Sequence, residues 1–145
     1  MNYWDTSALL KLYVREDDSG YFLGLVVSSD QPVVSSAIAA VEMLCAVYRK
    51  ESVGDLKDGG ALAAYRRFLG DCRAGRIVLV PYGEQVFTTA EEIVRLAFRR
   101  ARPVMVRSLD AIHVASAVTA RARVMVATDA RLRQVAAMAN LKLAP

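Results

Sequence analysis

The stretch Met1 to Tyr13, MNYWDTSALLKLY, opens the chain with the element around which the predicted fold is organised. Asn2 to Trp4 is typical of a short buried strand, and Asp5 follows it directly. The next residues form an apolar run that predicts a first helix, Thr6 to Val14. Ligands of α/β sheets bind at the carboxyl ends of the strands, so a strand that ends on a carboxylate indicates a functional edge.

Short apolar and β-branched runs alternate with helical patterns along the rest of the chain. The further predicted strands are Val33–Val34, Ile77–Val80, Val124–Ala127 and Leu141–Leu143. The further predicted helices are Tyr21–Val27, Ala37–Lys50, Ala61–Arg73, Phe87–Arg100, Leu109–Thr119 and Ala130–Ala139. The predicted N-caps are Ser35 or Ser36, Ser108 and Asp129. This alternation predicts an α/β fold in three layers, α/β/α, with a central, mostly parallel sheet.

The length of 145 residues predicts one domain, residues 1–145. At this length, about 68–70% of the unfolded surface can be buried, which is enough for a core without disulfides or structural metals. Apolar residues make up 54% of the chain, and this content excludes a disordered protein.

Several features predict a cytoplasmic protein that does not enter a membrane. Cys45 and Cys72 lie far apart in apolar helical patterns, so we interpret both as core residues in a reducing compartment. The start of the sequence lacks the pattern of a secretory signal. No apolar run approaches the roughly 18 residues that a membrane span needs.

Charge is divided unevenly along the chain. The net charge is +4 overall, but residues 1–94 carry −4 and residues 95–145 carry +8. A basic segment of this kind favours a polyanionic partner, and its candidate contacts to nucleic-acid phosphates are Arg99, Arg100, Arg102 and Arg107. The alternative interpretation is a solvated, arginine-rich surface.

Four acidic residues, Asp5, Glu42, Asp110 and Asp129, have apolar or small neighbours. Asp5 and Asp129 close predicted strands, and Asp110 lies in the first turn of its helix, so each of these three alone fits a capping residue. Glu42 is predicted to lie in mid-helix on an apolar face, where an unpaired carboxylate is costly. It therefore needs an arginine, a metal or a shifted pKa.

Taken together, the four acidic residues indicate a metal centre. Parallel strands bring their carboxyl ends to one edge, and carboxylates that meet there repel one another unless a cation lies between them. All-oxygen ligation suits Mg²⁺ or Mn²⁺ rather than zinc. Such an ion beside a basic segment would suit cleavage of a nucleic-acid backbone.

Four segments of the sequence resemble the motifs of PIN-domain ribonucleases, and most closely those of the VapC-type toxins of bacterial toxin–antitoxin pairs. In chain order, these segments are YWDTSALLKLYVRED, SSAIAAVEMLCAVYRK, RSLDAIHVASAV and VATDARL. Their order and spacing cover nearly the whole chain. The resemblance implies a PIN-like fold and a Mg²⁺- or Mn²⁺-dependent endoribonuclease.

The resemblance also implies a set of site residues. The metal-binding set would be Asp5, Glu42, Asp110 and Asp129. Ser7 and Ser108 would be supporting polar groups. Family members often carry a threonine two residues before the last acid, where this chain has Ala127; the adjacent Thr128 is expected to face elsewhere. His113, the only histidine, is interpreted as a core residue or a support for a ligand rather than a general base.

The implied partners are an RNA substrate and a cognate antitoxin protein. We also expect a homodimer that buries apolar surface from the Tyr21–Val27 region or its neighbours. Two alternatives stay open at this point. One is a non-catalytic RNA-binding module on the same fold. The other is a haloacid-dehalogenase-like phosphatase, although that chemistry needs a second aspartate where this chain has Ser7.

Overall fold

Strands and helices alternate along the chain as the sequence predicts, in a computed structural model that describes all residues from Met1 to Pro145. The strands are β1 (Asn2–Trp4), β2 (Val33–Ser36), β3 (Ile77–Val80), β4 (Val124–Val126) and β5 (Lys142–Ala144). The helices are α1 (Thr6–Leu10), α2 (Ser19–Val27), α3 (Ala39–Ser52), α4 (Gly60–Arg73), α5 (Glu84–Arg99), α6 (Ser108–Thr119) and α7 (Ala130–Met138). None of the helices combines the length and the apolar composition that a membrane span requires.

The five strands form one sheet in the order β3-β2-β1-β4-β5, and every neighbouring pair is parallel. The predicted parallel sheet is therefore confirmed. β1 lies at the centre, where Tyr3 pairs with Val34 of β2 on one side and with Met125 of β4 on the other. The chain runs outward from β1 to β3 and then returns to β4 on the opposite side. This reversal of strand order is where α/β sheets open a ligand-binding crevice.

Side chains that alternate along β1 enter two separate cores, one on each face of the sheet. Trp4 packs with α1, α2, α3 and α4 on one face, where Phe22 and Phe68 are fully buried. Tyr3 packs with α5, α6 and α7 on the other face, beside Val114 and Val135. The predicted three-layer α/β/α architecture is confirmed by this arrangement.

The region between β2 and α3 differs from the sequence-based prediction. Ser35 and Ser36 are not helix caps; they are buried residues of β2. Ser35 donates its hydroxyl hydrogen bond to the carbonyl of Trp4 at 2.7 Å, and Ser36 accepts one from Ser116 at 3.2 Å. Because the strand continues through the serines, α3 begins at Ala39. Glu42 consequently lies in the first turn of α3. The predicted position in mid-helix is therefore wrong.

Three smaller predictions about side chains or helix limits are wrong. α1 ends at Leu10 and is followed by turns, so it is shorter than the predicted Thr6 to Val14. Ser108 is the first residue of α6; the cap position is Arg107, and no side chain caps this helix. Cys45 is exposed and is not a core residue, whereas Cys72 is half-buried and packs against the core that contains Trp4.

Candidate active site

A cavity of about 560 Å³ opens where β1 and β4 end. All four predicted acidic residues line it, although they come from four different segments of the chain. Asp5 follows β1, Asp129 follows β4, and Glu42 and Asp110 lie in the first turns of α3 and α6. The ends of β1 and β4 and the starts of α3 and α6 thus bring the four carboxylates to one cavity.

Asp5 is both a helix cap and a buried wall of this cavity. Its Oδ1 accepts hydrogen bonds from the backbone N–H of Ala8 at 3.0 Å and from the hydroxyl of Ser7 at 2.8 Å. The Asp5 residue is only 4% exposed. Burial raises the pKa of Asp5 above the usual value of an aspartate, and this effect outweighs the opposing influence of His113 and of the accepted hydrogen bonds. The ionised carboxylate is therefore disfavoured here in the absence of a further cation.

Asp110 and Asp129 are held by a single arginine. Arg107 donates from Nε to Asp110 Oδ2 at 2.9 Å, and from Nη2 to Asp110 Oδ1 at 3.3 Å and to Asp129 Oδ2 at 3.1 Å. The other oxygen of Asp129 caps α7 by accepting from the backbone N–H groups of Arg131 and Leu132. Burial would raise the pKa of Asp129, but these hydrogen bonds and the charge of Arg107 hold it below its usual value.

Glu42 is positioned by a buried chain of hydrogen bonds. His113 Nε2 lies 2.7 Å from Glu42 Oε2, and His113 Nδ1 lies 2.7 Å from the hydroxyl of Tyr3. Thr6 donates its hydroxyl to the same Oε2 at 2.5 Å. Burial would raise the pKa of Glu42, but the hydrogen bonds from His113 and Thr6 outweigh it and lower the pKa. Glu42 therefore carries a charge and accepts both bonds.

When the His113 imidazole is neutral, the same chain of bonds sets its tautomer. An ionised carboxylate can only accept, so the proton of a neutral His113 imidazole lies on Nε2. Burial raises the pKa of Tyr3, which therefore keeps its phenolic proton and can donate it to Nδ1. His113 is 3% exposed and contacts Glu42 through Nε2, which agrees with its interpretation as a support for a ligand.

Ser7 joins the ends of β1 and β4. Its hydroxyl donates to Asp5 and accepts hydrogen bonds from the hydroxyl of Thr128 at 2.7 Å and from the backbone N–H of Thr128 at 3.1 Å. The prediction that Thr128 faces away from the site is therefore wrong. Ala127 is fully buried, and Thr128 provides the hydroxyl next to Asp129.

The predicted arginines fall into two groups. Arg107 lines the acidic cavity, whereas Arg99, Arg100 and Arg102 are exposed at the end of α5 and in the loop that follows. Ser108 does not line the acidic cavity. It borders a separate groove of about 280 Å³ between α5 and α6, together with Phe87 and Ile112 among others.

Sequence reasoning missed two polar residues of the cavity, Thr6 and Arg49. Thr6 follows Asp5 directly and hydrogen-bonds to Glu42. Arg49 lies two turns after Glu42 on α3 and lines the same cavity, so the spacing of seven residues would have indicated it. The chain thus supplies two guanidinium groups to a cavity whose charged side chains are otherwise acidic.

The donor set suits a hard divalent cation, but the side chains are arranged around an arginine. Four carboxylates provide the oxygen ligands that Mg²⁺ and Mn²⁺ prefer. As they stand, no three acidic, histidine or cysteine side chains are close enough to hold one metal ion. The guanidinium of Arg107 already lies between Asp110 and Asp129, at a place that attracts a cation.

Comparison with solved structures supports the fold. The chain is similar to VapBC2 from Rickettsia felis bound to a promoter DNA fragment, at 16% identity and a TM-score of 0.68, with 99% of this chain and 98% of that chain covered. It is also similar to FitAB bound to the IR36 DNA fragment, at 18% identity and a TM-score of 0.70, with coverages of 99% and 93%. A third match is FitAcB from Neisseria gonorrhoeae, at 16% identity and a TM-score of 0.67, with coverages of 99% and 96%.

Comparison at the sequence level identifies the family. No curated protein matches the chain at a significant level. The profile of the PIN domain, in contrast, matches residues 3–138, which include all four acidic residues of the cavity. The resemblance noted in the sequence motifs is therefore confirmed, and the chain belongs to the PIN domain family.

Proposed function

We propose that this protein is a Mg²⁺- or Mn²⁺-dependent endoribonuclease and the toxin of a toxin–antitoxin pair. The observation that carries the proposal is the shared cavity, which is lined by one carboxylate from each of the four PIN-like motifs. The family is generally one of nucleases, and the all-oxygen donor set suits the proposed ions. The activity is expected in the cytoplasm, where RNA is available.

In this proposal, Asp5, Glu42, Asp110 and Asp129 hold the metal. The bound ion would polarise a phosphoryl group and activate a water molecule. The water oxygen forms the new bond to phosphorus while the bond to one sugar oxygen breaks, so no covalent enzyme intermediate forms. The protein contributes orientation: Ser7 and the N-terminus of α1 hold Asp5, and His113 holds Glu42.

RNA is the proposed substrate because a basic segment of the chain leads to the acidic cavity. Arg99, Arg100 and Arg102 lie exposed in the segment that leads to Arg107, which itself lines the cavity. Their charges would attract the phosphate backbone and bring it to the carboxylates. Ser7, at the position where a haloacid-dehalogenase-like phosphatase needs a second aspartate, hydrogen-bonds to Asp5 and Thr128, so this chemistry is not favoured.

The proposed protein partners are a cognate antitoxin and a second copy of the chain. The solved structures that match are named as VapBC and FitAB assemblies, and this supports an antitoxin partner. Two of the exposed apolar side chains are candidates for the dimer interface. Leu23 on α2 is 48% exposed, within the region expected from the sequence, and Phe87 on α5 is also 48% exposed, beside the groove between α5 and α6.

The first prediction concerns Asp5→Asn. Asparagine keeps the cap of α1 but carries no charge to hold a cation. The parent should cleave RNA with Mg²⁺ or Mn²⁺ and stop in EDTA, and the variant should not cleave under either condition. RNA cleavage is measured on gels for both proteins. Cleavage by the variant at the parental rate would reduce Asp5 to a helix cap, and RNA binding without any cleavage by the parent would favour the non-catalytic alternative.

The melting temperature of the metal-free protein gives a second measurement on Asp5→Asn, independent of RNA cleavage. Because the pKa of Asp5 is raised on folding, its carboxylate destabilises the folded state once the pH rises above the unfolded pKa. Asp5→Asn should therefore melt at a higher temperature than the parent at neutral pH. The difference should disappear as the pH falls below the ordinary pKa of aspartate, about 3.9.

A second prediction concerns salt. If exposed arginines contact phosphates, the affinity for single-stranded RNA should fall linearly on a logarithmic plot, with a slope of about −0.7 per phosphate contact. The Arg99→Gln, Arg100→Gln double variant should reduce the slope by about 1.4. Binding is measured in the Asp5→Asn background. The matched double variant Arg66→Gln, Arg73→Gln on α4 should keep the parental slope, and an equal loss in both double variants would assign the effect to net charge alone.

A third prediction concerns the hydrogen bonds behind Glu42. Tyr3→Phe removes the hydroxyl that bonds to His113 Nδ1, leaves that buried nitrogen without a partner, and should cost about 1–3 kcal/mol of unfolding free energy. It should also lower the cleavage rate about 10–100-fold, as expected for a support of a metal ligand, with little change in RNA affinity. Tyr13→Phe is the matched control, because it removes a buried hydroxyl that donates to Asp71 at 2.6 Å in the other core. A similar loss of activity in both variants would mean that only stability matters.

A fourth prediction concerns the homodimer. Light scattering at micromolar concentration should give a mass of two chains for the parent. Leu23→Glu and Phe87→Glu each place a charge on one exposed apolar surface, so only the variant at the interface should become monomeric. A parental mass of one chain would contradict the dimer.

A further inference from the structure

Arg107 occupies the space between two of the four carboxylates. Its guanidinium contacts both oxygens of Asp110, and one nitrogen also reaches Asp129 Oδ2 at 3.1 Å. The remaining oxygen of Asp129 is engaged by the N-terminus of α7. Every oxygen of these two carboxylates therefore has a protein donor. The paired arrangement with Asp110 is the fork geometry in which arginine binds carboxylates most strongly.

The arginine is held by its partners and not by burial. Arg107 lies at the extended cap position that precedes α6, and its side chain is 51% exposed, whereas the side chain of Asp110 is 9% exposed. The neighbouring Ser108 and Leu109 are also exposed. Because half of the side chain is exposed, the guanidinium can leave the carboxylates without leaving a cavity in a core.

We propose that Arg107 is an exchangeable internal cation: it neutralises Asp110 and Asp129 in the metal-free protein and must leave them before a divalent ion can bind. This inference rests on the proposed function, since it assumes that these carboxylates hold a metal. The charge of a guanidinium and that of a divalent ion repel each other, so the two cannot share the same pair of carboxylates at close range. The protein thus alternates between an arginine-bound and a metal-bound arrangement.

Competition of this kind has a measurable cost in affinity. A metal ion binds only the fraction of molecules in which Arg107 has left, so the apparent dissociation constant equals the intrinsic constant divided by that fraction. If about one molecule in ten has free carboxylates, removal of the guanidinium should tighten metal binding about tenfold. An arginine that instead orients the carboxylates for the metal would have the opposite effect on removal.

The test is calorimetric titration of the metal-free protein with Mn²⁺. Arg107→Gln should bind Mn²⁺ about tenfold more tightly than the parent. Arg107→Lys keeps the charge but loses the fork and should lie between the two. The matched control is Arg131→Gln, which removes the same charge two residues after Asp129, while the backbone N–H of residue 131 still donates to Asp129 Oδ1. Its affinity should stay near the parental value.

The outcomes separate this inference from the proposed function. Binding by the parent together with equal or weaker binding by Arg107→Gln overturns the exchange while leaving the metal centre in place. Equal tightening in Arg107→Gln and Arg131→Gln also overturns it, because net charge would then explain the effect. If neither the parent nor any Arg107 variant binds Mn²⁺, the metal centre and the exchange are both wrong. Circular dichroism confirms that each variant is folded, and Arg107→Lys carries the test if Arg107→Gln does not fold.

Discussion

The pairing of β1 with β4 is the constraint on which the rest of the cavity depends. Trp4 pairs with Val126, and the backbone N–H of Asp5 continues the ladder by donating to the carbonyl of Val126 at 3.0 Å. The two strands are far apart in sequence, yet their parallel register places Asp5 and Asp129 at the same edge. A shift of one residue in this register would move the side chains of Tyr3 and Trp4 to the opposite faces of the sheet. Packing on both faces therefore fixes the register, and with it the distance between the two carboxylates.

Bringing four carboxylates together is costly, and the structure reduces this cost for three of them. Asp5 is the exception, because its burial disfavours the charged form and raises its pKa. Glu42 stays charged because it accepts hydrogen bonds from His113 and Thr6. Asp110 and Asp129 share one guanidinium, from Arg107. Neighbouring groups of the chain thus compensate the charges of Glu42, Asp110 and Asp129.

The sheet and the convergence of Asp5 and Asp129 could be predicted from sequence because both follow from local patterns. Alternating apolar runs predict the parallel sheet, and residues that close parallel strands meet at one edge. The start of α3 could not be predicted in the same way. Serine is favoured at helix caps, but Ser35 and Ser36 bond to Trp4 and Ser116, and these partners lie 31 and 80 residues away. Only the assembled sheet reveals them.

Other features of the site also depend on contacts between distant segments. Arg107 reaches Asp129 across 22 residues, and Tyr3 reaches His113 across 110. Charge counting could identify Arg107 as a candidate for phosphate contact, but not as the partner of two carboxylates. The orientation of Thr128 could not be predicted for a similar reason, since its hydroxyl donates to Ser7, which is distant in sequence.

The exposure of Cys45 gives the chain a natural reporter of the acidic cavity. Cys45 lies one turn after Glu42 on α3 and lines the same cavity as Arg107. The only other thiol, Cys72, is half-buried on α4, and burial together with the nearby charge of Asp71 raises its pKa, which slows its reaction with electrophiles. A thiol-reactive fluorophore can therefore be directed to the cavity wall of the unaltered sequence, where its emission follows what enters and leaves the space between the carboxylates.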